Sequence, residues 1–148
     1  MTTLTLRPIS FRAACAFIKR EHSHLSPPQG WLCGVAVYDG DRLCCVATMG
    51  RPSARKLDDG ITCEITRVAS DRTPHCASKA IAALTRAAFA LGYTKVVSYT
   101  RADEEGTCYM AAGWTAVATS KGGEWTRPSR ERKSAEQPCL KVRWERVA

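Results

Sequence analysis

The chain opens on LTLRPI, where apolar and polar positions alternate with the period of a strand buried on one face. Pro8 has no N–H to give a ladder, so this strand is expected at a sheet edge. Ser10 then suits a helix N-cap, and Ala13, Ala14, Phe17 and Ile18 recur at helical spacing until the polar EHSHLSPPQG breaks the pattern. WLCGVAVYDGDRLCCVATMG reads as two strands joined around Asp39, Gly40 and Asp41, residue types that accept positive φ and so favour a tight hairpin. The polar RPSARKLDDG leads into a further strand, TCEITRVA. The next helix is predicted to start with Thr73 as cap and Pro74 in the first turn, and to close at Gly92. Ala77, Ala80, Ile81, Leu84, Ala88 and Leu91 form its apolar stripe, with Lys79 and Arg86 off it. KVVSYT is a strand, TCYMAAG a short helix ending at Gly113, and TAVATS and LKVRWERV are the last two strands. The sum is a mixed α/β chain built on one central sheet.

At 148 residues the chain suits one domain, since domains commonly run to about 100 to 150 residues. Apolar residues make up 45% and charged residues 24%, yet no apolar run approaches the roughly 18 residues that cross a bilayer. The start, MTTLTLRPISFRAAC, lacks a basic segment followed by an apolar one, so a cytoplasmic protein with no membrane partner is expected. Eight cysteines without a CxxC spacing are expected as buried reduced thiols rather than as a disulfide framework or a cysteine-rich zinc site. The net charge is +8, and residues 121–148 hold eight Lys/Arg against four Glu. Such a surface attracts polyanions, either a phosphorylated cofactor or a nucleic acid.

Residues 61–114 carry the chemistry. A strand running through a turn into a helix N-terminus can present backbone N–H groups to phosphate, and Tyr109 follows on the short helix. His22 and His24 stand in a polar segment, where they can join Glu21 or Asp103 around a metal, or simply be solvated loop histidines. Trp125 is flanked by Arg127, Arg130 and Arg132, a grouping in which arginine pairs phosphate and the indole stacks a base; Gly122, Gly123 and Pro128 equally mark an ordinary surface loop.

The order strand, helix, hairpin, strand, turn, helix, strand, short helix, strand resembles the GCN5-related N-acetyltransferase (GNAT) superfamily over nearly the whole chain. The resemblance implies a single GNAT-like domain over residues 1–148, with residues 121–148 forming a basic loop and last strand. Its sheet would be twisted, mixed and mostly antiparallel, of about six to seven strands, an ordinary sheet size. EITRVAS resembles the family's central strand, which implies main-chain contacts from Val68, Ala69 and Ser70 to the pantetheine arm of acetyl-CoA or another acyl-CoA. Arg72, Thr73, Pro74, His75, Cys76 and Ala77 take the place of the pyrophosphate loop, where His75 replaces the family's glycine, and Ser78 follows as a further donor. GTCYMAAGW resembles the closing motif, which implies that Tyr109 protonates the leaving sulfur. The resemblance also implies Glu64 as general base, with His22 and His24 as rivals in the region that forms the acceptor pocket.

A narrower resemblance is to the phage-borne branch related to Mom proteins, which modify adenine in phage DNA. It rests on EHSH, Pro-Pro, Gly-Trp, CEITRVAS and SYTRADEEGTCYMAAGW, with His22, Ser23, Glu64, Arg67, Ser78, Ser98, Tyr99, Asp103, Gly106, Tyr109 and Trp114 at matching positions. Mom relatives show His-Tyr-Ser where this chain has His22, Ser23 and His24. On this resemblance Trp31, Arg67, Asp103, Trp125, Arg127, Arg130 and Arg132 are candidates for contacting a nucleic-acid substrate. Three functions stay open: acyl transfer to an amine with a DNA base as acceptor, conventional acetylation of a small amine or protein lysine, and a nonenzymatic binder on the same fold.

Overall fold

The computed structural model describes residues 3–21, 26–122 and 139–148. Strand β1 (Leu4–Arg7) is followed by α1 (Phe11–Glu21), the hairpin β2 (Cys33–Asp39) and β3 (Arg42–Gly50), β4 (Thr62–Ser70), α2 (Cys76–Ala90), β5 (Lys95–Arg101), α3 (Thr107–Ala111), β6 (Thr115–Gly122) and β7 (Cys139–Val147). The seven strands form one sheet in the order β1-β2-β3-β4-β5-β7-β6. Among the described residues only β4 and β5 pair in parallel, joined by a crossover through α2. The mostly antiparallel seven-stranded sheet flanked by helices is the expected one, and among the described residues no helix is long and apolar enough to cross a membrane.

Helix α1 starts as its sequence dictates, with the Ser10 hydroxyl accepting the N–H of Ala13 at 3.1 Å. Its buried residues Ala14, Phe17 and Ile18 pack with Val46 and Ala69 on one face of the sheet. Helix α2 covers the other face with Cys76, Ala80, Ile81, Leu84 and Ala88, joined by Tyr109, Trp114 and Trp144. Burying an Ile or Leu there contributes about 2 kcal/mol. The α2 C-terminus closes at Gly92, φ +99°, with Gly92 N–H bonding Phe89 O and Tyr93 N–H bonding Ala88 O. Leu91, expected on the apolar stripe, is 68% exposed because the helix ends before it.

The α2 N-terminus departs from expectation. Neither Thr73 nor Pro74 is helical: the first helical residue is Cys76, and His75 caps it in the left-handed region at φ +68°. Asp71 draws Thr73 out of the helix by accepting its N–H at 3.0 Å and its hydroxyl at 2.5 Å.

Candidate active site

The site originates in a break of strand alternation on β4. Met49 pairs with Ile65 and Thr48 with Arg67, so Thr66 stands unopposed as a β-bulge. A bulge bends its strand and disrupts the ladder. On the other edge of β4, pairing with β5 covers only Thr62–Lys95, Cys63–Val96 and Glu64–Val97, and ends immediately before the bulge. Beyond that point β4 continues to Ser70 and β5 to Arg101 without ladder pairing between them, leaving a wedge along the β5-facing edge of Val68, Ala69 and Ser70.

At the apex of the wedge the Ser98 hydroxyl donates to the Ile65 carbonyl at 2.9 Å, and the Tyr109 hydroxyl lies 2.6 Å from the Ser98 hydroxyl oxygen. Ser98 has one hydrogen, already given to Ile65, so Tyr109 is the donor of the shorter bond. The Tyr109 ring stacks on Trp144 at 5.9 Å and meets Trp114 edge-on at 5.2 Å. Trp144 is held by its indole N–H on Thr100 at 2.9 Å and approaches the chain at Gly106, φ +65°. Tyr109 is 4% exposed, and burial above all pushes its phenol upward from the ordinary value.

Glu64 lies between Cys63 and Ile65, both in the α2-side core, so strand alternation sends its side chain to the opposite face. There it is 6% exposed, and its Oε1 accepts from the N–H and hydroxyl of Ser53 at 3.0 and 2.9 Å. Burial raises its pKa, while the Ser53 bonds and the charges of Arg67 and Lys141 pull the other way. The Tyr99 phenol is also raised, by burial first and then by the charge of Glu64.

The loop from Asp71 to His75 runs past the open end of the wedge, with Arg72 and His75 at φ +72° and +68°. Within it Arg72 N–H is used by the Ser70 hydroxyl and Thr73 N–H by Asp71, while Cys76 N–H reaches Thr73 O at 3.3 Å. The N–H groups of His75, Ala77 and Ser78 have no hydrogen-bond partner among the described residues. Unpaired amides at a helix N-terminus attract anions. A shallow groove lined by His75, Ser78, Lys79 and Ala82 adjoins them.

Similar architecture occurs in solved structures. The chain is similar to the N-acetyltransferase from Staphylococcus aureus Mu50, with 14% identity over 99% of each chain and a TM-score of 0.72. It is also similar to an acetyltransferase of the GNAT family from Streptococcus pneumoniae, with 10% identity over 99% of this chain and 100% of that one and a TM-score of 0.69. A third similar structure, the Bacillus subtilis acetyltransferase in complex with CoA, has 11% identity over 100% and 99% of the chains and a TM-score of 0.64. The chain has the GNAT fold. No protein-family model and no curated protein matches it.

On this GNAT fold, the structure brings Val68, Ala69, Ser70, Arg72, His75, Cys76, Ala77 and Ser78 to one end of the wedge, and Tyr109 and Glu64 to its apex on opposite faces of the sheet. Val68 packs toward α2 and Ala69 toward α1. Other candidates make contacts within the scaffold. The Trp31 ring lies on Gly34, where a Cβ would sit 2.1 Å from it, and meets Phe11 edge-on. Arg67 donates to the carbonyls of Ser26 and Thr66 at 2.8 and 2.7 Å. Asp103, a metal candidate from sequence, instead holds Arg101 through two 3.1 Å bonds and joins no metal-binding group among the described residues. His22, His24, Trp125, Arg127, Arg130 and Arg132 lie outside the described residues.

Two features escaped the residue pattern. Ser98 was visible only as a matching position, although a lone hydroxyl inside the apolar KVVSYT is the signal of a buried polar contact. The cysteines, spaced without a pairing motif, pattern in the sequence only as buried thiols. In the structure Cys44, Cys45 and Cys76 share the α2-side core, and a hydrogen bond from Cys45 above all, then bonds from Ser70 and Cys44, hold Cys76 below the ordinary thiol range.

Proposed function

We propose that this protein transfers an acyl group from a CoA thioester to an amine. The observation that carries this reading is the divergence of β4 from β5 with the Tyr109 hydroxyl at its apex. The unpaired amides of His75, Ala77 and Ser78 are the seat for the diphosphate, with Arg72 and Lys79 supplying positive charge nearby. Main-chain groups from Val68 to Ser70 are the rail for an extended amide-bearing arm, held as an added strand would be. When bound, the thioester supplies an activated acyl carbon and a thiol leaving group.

Glu64 takes the proton from the attacking nitrogen. Its raised pKa suits that role, because a base works best when its pKa lies nearer the operating pH. Tyr109 is the proton donor on the other side of the wedge. Its hydrogen points to Ser98 in the resting arrangement, so a modest rotation about the phenol C–O bond redirects it. Calorimetry with acetyl-CoA, followed by thiol release across a panel of amines, tests the reading. Binding without turnover on any amine leaves a binding protein on this fold, and absence of binding overturns the proposal.

For the acceptor, we propose the exocyclic amine of a nucleobase, as in the Mom-like DNA modification that the sequence resembles. The support is electrostatic: a net charge of +8, and basic residues Arg67 and Lys141 close enough to Glu64 to influence its titration. Tyr99 and Arg143 face each other across β5 and β7 on the same side of the sheet. A base paired in duplex must leave the stack to reach Glu64. Incubation with DNA and acetyl-CoA, digestion to nucleosides and mass measurement decide between this acceptor and a small amine or protein lysine. An unaltered nucleoside profile, with thiol release on an amine from the panel, selects the conventional acetyltransferase.

A further inference from the structure

Cys44 and Cys45 are neighbours on β3, and strand alternation would send their thiols to opposite faces. A bulge prevents this. Val37 pairs with Cys45 and Tyr38 with Leu43, so Cys44 is the extra residue, and both thiols enter the core on the α2 side. Cys76, the first residue of α2, meets them there. Asp71 closes the group from the loop before α2. One ligand atom each from Cys44, Asp71 and Cys76 lies within 4.8 Å of the others.

From this convergence we propose that Cys44, Asp71 and Cys76 bind a thiophilic divalent cation, zinc or cadmium. Three chain segments, β3, the β4–α2 loop and the first turn of α2, each supply a donor, so the group closes only in the folded protein. Thiolate sulfur with one carboxylate is a donor set that zinc takes at tetrahedral sites, where ligand atoms stand about 3 to 4 Å apart given its usual bond lengths. The surrounding contacts also fit a metal centre. Thr73 holds one carboxylate oxygen of Asp71 through its N–H and hydroxyl, and Arg42 holds the other. Ser70, which accepts from Arg72 N–H, has its own hydrogen for Cys76 Sγ at 3.0 Å. Such outer contacts orient ligands and temper their charge. Two thiolates and a carboxylate around a divalent ion leave one negative charge, which the Arg42 guanidinium offsets. The site adjoins the loop end of the wedge through Ser70 and Cys76, and it does not rest on the acyltransferase reading.

The test is a titration of the reduced, full-length protein with cadmium, following thiolate-to-metal charge-transfer absorption and protection of thiols from Ellman's reagent. A band that saturates at one cadmium per chain, with a rise in the thermal midpoint, is expected, since a ligand that binds only the folded state stabilises it. Cys44→Ala and Cys76→Ser should each weaken cadmium binding by roughly a hundredfold, and Arg42→Ala by about tenfold as an outer-contact change. Cys15→Ser on α1 should leave the titration unchanged. Circular dichroism checks the fold of each variant, and Asp71→Asn, altering a partly exposed loop residue, serves where a cysteine variant does not fold. No charge-transfer band in the wild-type protein overturns the proposal. So does a band that survives in a folded Cys44→Ala, Cys76→Ser double variant.

Discussion

Tyr109 gives its phenolic hydrogen to Ser98 across 2.6 Å, and Ser98 passes its own hydrogen to the carbonyl of Ile65 at 2.9 Å. The chain of donors begins on α3, crosses β5 and ends on β4 at the first residue beyond the last β4–β5 pair. It satisfies a carbonyl that the split in the sheet would otherwise leave buried without a partner. The same bond fixes where the phenol stands relative to the wedge. Structure and proposed chemistry therefore meet in one pair of residues.

Tyr109→Phe should reduce kcat by about a hundredfold, the ordinary scale for losing a general acid, and change the acetyl-CoA Kd by less than about twofold. Thiol-release kinetics and calorimetry measure the two quantities. Ser98→Ala should cost about 1 to 3 kcal/mol of stability, because it leaves Ile65 O and the Tyr109 hydroxyl buried without partners. A double-mutant cycle on chemical denaturation should show coupling of about 1 kcal/mol between the two residues. Additive effects would separate them.

Glu64 carries the pH dependence. Its folded-state pKa is raised above the unfolded value, mainly by burial, so protonated Glu64 favours the folded state. That contribution is complete below the ordinary glutamate range and is lost as pH rises through the raised folded value. Activity should move oppositely, since the base works only when ionised, and the acid limb of kcat/KM should lie above the ordinary glutamate range. Glu64→Gln should abolish the limb and flatten the stability profile across that window. Denaturation midpoints and kcat/KM measured over the same pH series check both signs.

His75→Gly addresses the loop. At φ +68° a histidine pays steric energy that glycine does not, so the change should raise stability by up to about 1 kcal/mol, part of the gain being returned as unfolded-state entropy. With no side chain beside the unpaired amides, affinity for acetyl-CoA should stay equal or increase. Weaker binding in the glycine variant would show that the imidazole itself contacts the ligand.

Gly106→Ala should destabilise the protein by about 2 to 3 kcal/mol, combining a left-handed backbone with overpacking against a ring. The added Cβ would lie 2.3 Å from the Trp144 indole at φ +65°. Because Trp144 stacks on Tyr109, near-ultraviolet circular dichroism should change together with stability.

Much of the architecture was legible in the residues. The strands read from LTLRPI and LKVRWERV, the Ser10 cap and the Gly92 closure each follow from local geometry and form where expected, as does the apolar stripe of α1; that of α2 holds up to Ala88, and Leu6 and Leu91 stand exposed. The order of elements placed Glu64, Tyr109 and the loop before α2 within one region. What local pattern does not carry is the point at which alternation fails. Thr66 and Cys44 became bulge residues because β4 and β3 had to match neighbours of different register. Those two slips open the wedge beside Ile65 and turn Cys44 toward Cys76, and the helix start moved to Cys76 because Asp71 captured Thr73. The sequence determined the elements and their order, since propensity and hydrophobic period act over a few residues. Tertiary structure decided which side chains meet, because register and bulges depend on strands distant in the chain.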